Sequence, residues 1–338
     1  MKYQSKWASS EETYSFSGIL PGVVLSVGIA LLSIFLPTGV ISALFVAFAI
    51  GIAVSTTWEV QPVLKSGVRF SSKVLLRFGI VLLGFQVSMS DVYQVGWGGL
   101  FVILATLLST FFVTKQLARL IGVEPQLAEL IAVGTSVCGA SAIVATNTVT
   151  RGSEEDAAYA IACITLFGTL AMLGLPFAAR LLALEPASYG LWAGSTTHEV
   201  AQAVAAAFQG GDEAGQLGTI AKLGRVVMLA PLILVLGFVR RGAPAVDGDV
   251  SRAAPMPWFV FGFLAVIAFN SVVTLPVELQ KAAAWTSTLM LVSALAAMGL
   301  ETDIRKLRSK GLRPLLLGAL SWLFIAAVGL GLIMALGL

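Results

Sequence analysis

The chain's one histidine, His198, sits in the string GSTTHEVAQ, residues 194–202, within an otherwise apolar segment. Thr196 and Thr197 precede it, Glu199 follows it, and Gln202 lies four residues on, the spacing that shares a helix face. Ionisable groups at membrane depth are costly and usually functional. Imidazole titrates near neutrality, so His198, or Glu199 beside it, suits the coupling of a proton. The plain alternative is a hydrogen bond between two helices.

A second polar stretch, VGTSVCGASAIVATN, residues 133–147, carries no charge. Thr135, Ser136, Gly139 and Ser141 are poor helix formers or compete for backbone hydrogen bonds. They fit either close helix packing or a helix broken inside the membrane, where irregular backbone must be buried in protein or line a cavity. A half-helix N-terminus offers free N–H groups and positive partial charge, which suits an anion. The third stretch, IAKLGRVVMLAP, residues 220–231, puts Lys222 and Arg225 three apart on one face. Two like charges there require something negative, Glu199 for one and a bound anion for the other. The competing reading is that both snorkel to the outer surface.

These residues need a scaffold that suits lipid. Of 338 residues 57% are hydrophobic and 12% charged, about half the charge of a soluble domain. The apolar residues fall in blocks long enough to cross a bilayer as helices. Eleven segments are expected, at 18–37, 40–57, 72–90, 95–119, 127–149, 157–183, 189–209, 217–239, 257–275, 284–301 and 313–336. Residues 1–17 read as a cytoplasmic tail, and 18–338 as one all-α polytopic membrane domain. If all eleven segments span, 17 of the 21 Lys and Arg residues fall in one set of loops. Two, Arg151 and Lys281, fall in the other, and Lys222 and Arg225 lie inside a segment. Basic loops stay cytoplasmic, which puts the N-terminus inside and the C-terminus outside. Re-entrant hairpins at 127–149 and 189–209 would keep that parity but exchange the sides of Arg180 and the acidic run Glu154, Glu155, Asp156.

Two internal repeats are visible. FSSKVLLRFGIVLLGFQVSMS, from Phe70, aligns with WTSTLMLVSALAAMGLETDIR, from Trp285, and the topology inverts the two. VGTSVCGASAIVA aligns with AGSTTHEVAQAVA at an offset of about 60, pairing Gly134 with Gly194 and Cys138 with His198. Repeat-related parts at about 40–183 and 189–338, with two broken or re-entrant helices, are a secondary-transporter architecture. The chain carries no nucleotide motif and no Cys or His cluster for a metal. Neither a cofactor nor a nucleic-acid partner is expected.

The strings GTSVCGASAI, ACITLFGTLAMLGLP, YGLWAGSTTHEVAQAVAA and AKLGRVVMLAP, in this order, resemble the YeiH family of bacterial inner-membrane proteins, a family also named for sulfate export. The resemblance runs from about residue 18 to the end. It implies a carrier of a small anion such as sulfate, sulfite or an organic sulfonate. The family's motif residues fall here on Ser136, Cys138, Gly139, Ser141, His198, Glu199, Lys222 and Arg225. Together the two readings place substrate on Thr135, Ser136, Gly139, Ser141, Thr196, Thr197, Gln202, Lys222 and Arg225. Coupling falls to His198 and Glu199, with H+ or, through carbonyls at the breaks, Na+. The partners expected are the anion, the lipid bilayer and a second copy in a homodimer. An anion channel is one alternative. Another is an intramembrane enzyme with Cys138 or Ser136 as nucleophile and His198 as base.

Overall fold

The computed structural model describes residues 16–36, 42–58, 61–150, 152–240, 258–273, 275–302 and 311–338. The expected tail over 1–17 lies outside them as far as residue 15, and α1 already begins at Phe16. The basic run from Arg305 to Lys310 also lies outside, as does Arg151. Among the described residues all regular structure is helical, as chains in lipid require unless they close a barrel.

The chain begins with α1 (Phe16–Phe35) and α2 (Ala43–Thr57), then α3 (Pro62–Phe70), which runs through one π turn into α4 (Leu76–Leu83). Then come α5 (Met89–Ile121), α6 (Pro125–Ser136), α7 (Ala140–Thr150) and α8 (Glu154–Leu181). The second half holds α9 (Pro186–Thr196), α10 (Val200–Ala207), α11 (Asp212–Val227), α12 (Leu229–Arg240), α13 (Trp258–Val272), α14 (Val277–Glu301) and α15 (Leu312–Leu336). The starts are written in the sequence. Ser88 and Asp91 cap α5 reciprocally, and Ser153 and Asp156 cap α8 in the same way. Both α6 and α9 open on proline after a glutamate, where the missing N–H costs nothing.

Among the described residues six stretches are long and apolar enough to cross a membrane by length and composition, among them Met89–Ile121, Glu154–Leu181 and Leu312–Leu336. That is fewer than the eleven segments expected. Two segments are shorter apolar helices, α2 and α13, and a third is the α3–α4 run. The other two are hairpins. A Cβ on Gly152, just past α7, would lie 3.7 Å from Gln126 Cβ at the start of α6. One on Gly134 would lie 2.8 Å from Ile143 Cδ1, although nine helical residues in line span about 13 Å. Likewise Tyr189 at the start of α9 donates to the Ala206 carbonyl near the end of α10 (2.5 Å). The pairs α6–α7 and α9–α10 therefore return to the end they entered.

Contacts sort the turns into two ends. At one, Ser42 N donates to Gln209 (3.2 Å), Gln216 to the Gln86 carbonyl (2.9 Å) and Ser188 to the Leu338 carbonyl. At the other, Lys115 meets Glu129 (3.7 Å), Tyr159 donates to Gly311 (3.1 Å) and Ser66 to Gly18 (2.8 Å). The first hairpin enters from the second of these ends, and the second hairpin from the first. Arg180 thus stands with Ser42 and Leu338, and Glu154–Asp156 with Lys115, the reverse of the all-spanning reading.

The helices form two groups around the hairpins. In one, α14 packs on α2, α4 and α1, and α13 lies against α4. In the other, α5, α8, α11 and α15 enclose the hairpins. A sequence-repeat pair meets inside the first group, where Ser287 on α14 donates to the Gly79 carbonyl on α4 (2.8 Å).

Candidate functional site

The two hairpin tips meet in the interior. After Ser136 the first tip needs backbone that no helix supplies. Val137 has φ −115° and ψ −91°, and Gly139 has φ +78°. Only glycine enters that left-handed region without a Cβ penalty. Gly139 N donates back to the Gly134 carbonyl (3.1 Å) and closes the end of α6. The second tip breaks at the equivalent residues, with Thr197 extended (φ −74°, ψ 149°) and Glu199 as N-cap of α10. Each tip therefore presents the carbonyl end of its first arm and the N–H end of its second.

Helix α11 lies close against α9. A Cβ on Gly194 would lie 2.8 Å from Gly218 Cα, so both positions need to be small. This approach delivers Lys222 and Arg225, each 0% exposed, to the carbonyl ends. Lys222 Nζ donates to the carbonyls of Val137 (3.1 Å), Thr197 (2.7 Å) and His198. Arg225 donates through Nε to Ser136 O (3.0 Å) and through Nη2 to Thr135 O (2.7 Å). Its Nη1 donates to Ser195 O (2.7 Å) and Thr197 O (3.3 Å). Both cations thus bridge the two tips and satisfy last-turn carbonyls that have no partner within their helices. Their charge also answers the negative ends of α6 and α9.

The N–H ends share one carboxylate. Glu199 starts α10 and accepts from Ala140 N, the first residue of α7, at 2.7 Å. The position equivalent to Glu199 in the first tip is Gly139, and a Cβ there would lie 2.9 Å from Glu199 Oε2. The missing side chain is the space the carboxylate uses. Four helix ends of about half a charge each, two of either sign, cancel. Two cations against one carboxylate leave a formal charge of one positive unit at the tips.

Several buried polar atoms here have no partner: both ring nitrogens of His198, and the hydroxyls of Thr135 and Thr197. Buried polar groups are normally bonded, to protein or to something bound.

The structure brings most of the expected residues together and gives several of them partners that the sequence did not suggest. Thr135, Ser136, Gly139, Thr196, Thr197, His198, Glu199, Lys222 and Arg225 belong to the tips or the helix that clasps them. The hydroxyls of Ser136 and Thr196 are spent on their own helices, on Ala132 O (2.6 Å) and Trp192 O (2.7 Å). Ser141 is exposed on α7. Gln202 and His198 do not share a helix face, because α10 starts at Val200 and His198 lies in the break. Gln202 instead faces α8, donating to Thr165 O and Thr169 Oγ1 (3.1 Å each) while accepting from Glu199 N (3.3 Å). Lys222 and Arg225 do not snorkel, and among the described residues no ion pair joins either to Glu199. The carbonyls of Val137 and Ser195 were missed, since a backbone oxygen has no sequence signature beyond the break that frees it, and Thr165 and Thr169 were missed because nothing in an unbroken apolar helix marks them. Asn270 on α13 donates to Phe85 O (3.1 Å), just past the end of α4.

Fold and site together define a multi-pass, all-α membrane protein with two opposed hairpins. A family model described as "Conserved hypothetical protein 698" matches residues 21–318. A UPF0324 membrane protein of Yersinia pestis is 37% identical over 331 residues, 94% of this chain and 90% of that protein. One of Pseudomonas aeruginosa is 37% identical, covering 91% and 92%, and one of Corynebacterium glutamicum 35%, covering 86% and 84%. The chain belongs to this UPF0324, or YeiH, family of membrane proteins.

Proposed function

We propose that the protein is a secondary transporter of a small oxyanion, such as sulfate, sulfite or an organic sulfonate, in the bacterial cytoplasmic membrane. The observation that carries the reading is the hairpin junction: two fully buried cations and one half-buried carboxylate, beside buried polar atoms that lack partners. An anion at the tips completes the charge and supplies acceptors or donors to Thr135, Thr197 and His198. Inverted hairpins that meet at mid-depth give each side of the membrane an equivalent route to one site. The repeat-related parts, about 40–183 and 189–338, would exchange roles as the site faces one side and then the other. The basic end, with Lys115 and Arg313, is then cytoplasmic, and the C-terminus lies outside.

Glu199 and His198 are the coupling groups in this reading. Loss of the Glu199 charge would weaken its bond to Ala140 N and raise the positive charge facing the anion. The enzyme alternative finds less support, because the Ser136 hydroxyl donates to Ala132 O and neither ring nitrogen of His198 meets a donor or acceptor. Counterflow in proteoliposomes loaded with sulfate, sulfite or taurine tests the proposal. Accumulation of the labelled counterpart of at least one is expected. Absence of counterflow for all three, with protein shown to be folded, would remove it.

A further inference from the structure

Three backbone carbonyls from two different hairpins converge on a single point, the ammonium of Lys222. This is the geometry of a cation site. The oxygens come from non-helical backbone, so they are not committed to helix bonds, and the point they surround is sealed from solvent. Among the described residues no carboxylate shares it in an ion pair. Arg225 occupies the neighbouring carbonyls and also bonds Thr197 O, so the two cations fill adjoining positions.

We infer that the hairpin junction is a monovalent-cation site which this chain fills with its own lysine. The tethered ammonium does what a diffusible coupling cation would do, joining two oppositely inserted hairpins through their carbonyl ends. The Val137 and Thr197 oxygens stand at 3.1 and 2.7 Å, hydrogen-bonding distances for an ammonium. Divalent metal ions draw oxygens closer, Ca2+ to about 2.3–2.6 Å. A free ammonium or alkylammonium therefore fits the vacated cage without rearrangement. The inference rests on the transport reading for its consequence, that flux needs no sodium, but not for its structural content.

The test removes the tether. Lys222→Ala protein, purified in detergent, is melted with ammonium, methylammonium, sodium, potassium or choline chloride at equal ionic strength. A ligand that binds only the folded state raises Tm with its concentration. The variant should melt well below wild type, recover about half or more of the loss with ammonium or methylammonium, and ignore choline. Wild type should respond to none of them. If no cation raises the variant's Tm more than wild type's, the inference is overturned. Should the alanine variant fail to purify, Lys222→Ser, also small enough to vacate the cage, carries the same titration. Counterflow by wild-type protein in sodium-free choline buffer adds an independent arm: unchanged rates are expected, and strict sodium dependence overturns the inference. If no anion shows counterflow at all, the transport reading fails while the melting result still stands or falls by itself.

Discussion

Glu199 is the residue on which most depends, because one carboxylate serves two helix starts. Glu199→Gln keeps the shape and a hydrogen-bond acceptor but cannot carry the charge. Anion counterflow should persist in that variant while proton movement, read with a trapped pH dye, disappears. Proton movement equal to wild type would put the coupling elsewhere. Gly139→Val sets a Cβ against Glu199 and forces a branched residue to positive φ, which costs about 1–3 kcal/mol. Its Tm should fall more than that of Gly139→Asn, because asparagine tolerates this backbone better. Equal losses would point to the collision alone. Arg225→Lys keeps the charge but cannot reproduce a planar fork that reaches four carbonyls. Each buried carbonyl left unmatched costs about 1–3 kcal/mol, so a large drop in Tm is expected. A variant as stable as wild type would show that charge alone matters there. The residue types at the tips were legible in the sequence, since histidine, glutamate, lysine and arginine stand out among apolar neighbours. Their partners were not. The acceptors are backbone oxygens, identical at every position, and only the break that frees them leaves a trace in the sequence.

At the scale of elements, the hairpins were half legible. Glycine and hydroxyl residues announced the breaks, and the offset of about 60 paired them. A break does not say whether the chain continues or turns back, because that depends on contacts between residues far apart in sequence, such as Gly152 with Gln126. A third break lies in α5 at Gly96, with φ +54° and ψ −168°, where the aromatic residues around it gave no sign. Residues before it reach α13 through Ser271, which accepts from Met89 N (3.2 Å). Residues after it pack on α6, α11 and α15. Gly96 thus joins the two helix groups. A Cβ there meets nothing within 4 Å, so Gly96→Ala acts through backbone strain alone. If the groups move against each other, maximal counterflow should fall several-fold with little change in the half-saturating anion concentration. A rise in that concentration with an unchanged maximum would show that the break shapes the site rather than the motion.

For the whole molecule, the hairpins fix which loops share a side. Glu155 and Arg313 lie at one end, Arg180 and Lys281 at the other. Native Cys138 and Cys163 are both buried, which favours cysteine labelling. In spheroplasts a membrane-impermeant maleimide should modify Arg180→Cys and Lys281→Cys but leave Glu155→Cys and Arg313→Cys until the membrane is opened. Labelling of Glu155→Cys from outside would turn the first hairpin back into a span. The clasp of the tips has one more consequence, set by the order of synthesis. The carbonyls of the first tip wait 85 to 90 residues for Lys222 and Arg225, whereas those of the second wait 24 to 30. At about 5–20 residues per second, the ribosome leaves the first tip open for roughly 4–18 s. A nascent chain stalled before residue 222 therefore leaves the carbonyls of the first tip without the two cations that satisfy them in the finished fold.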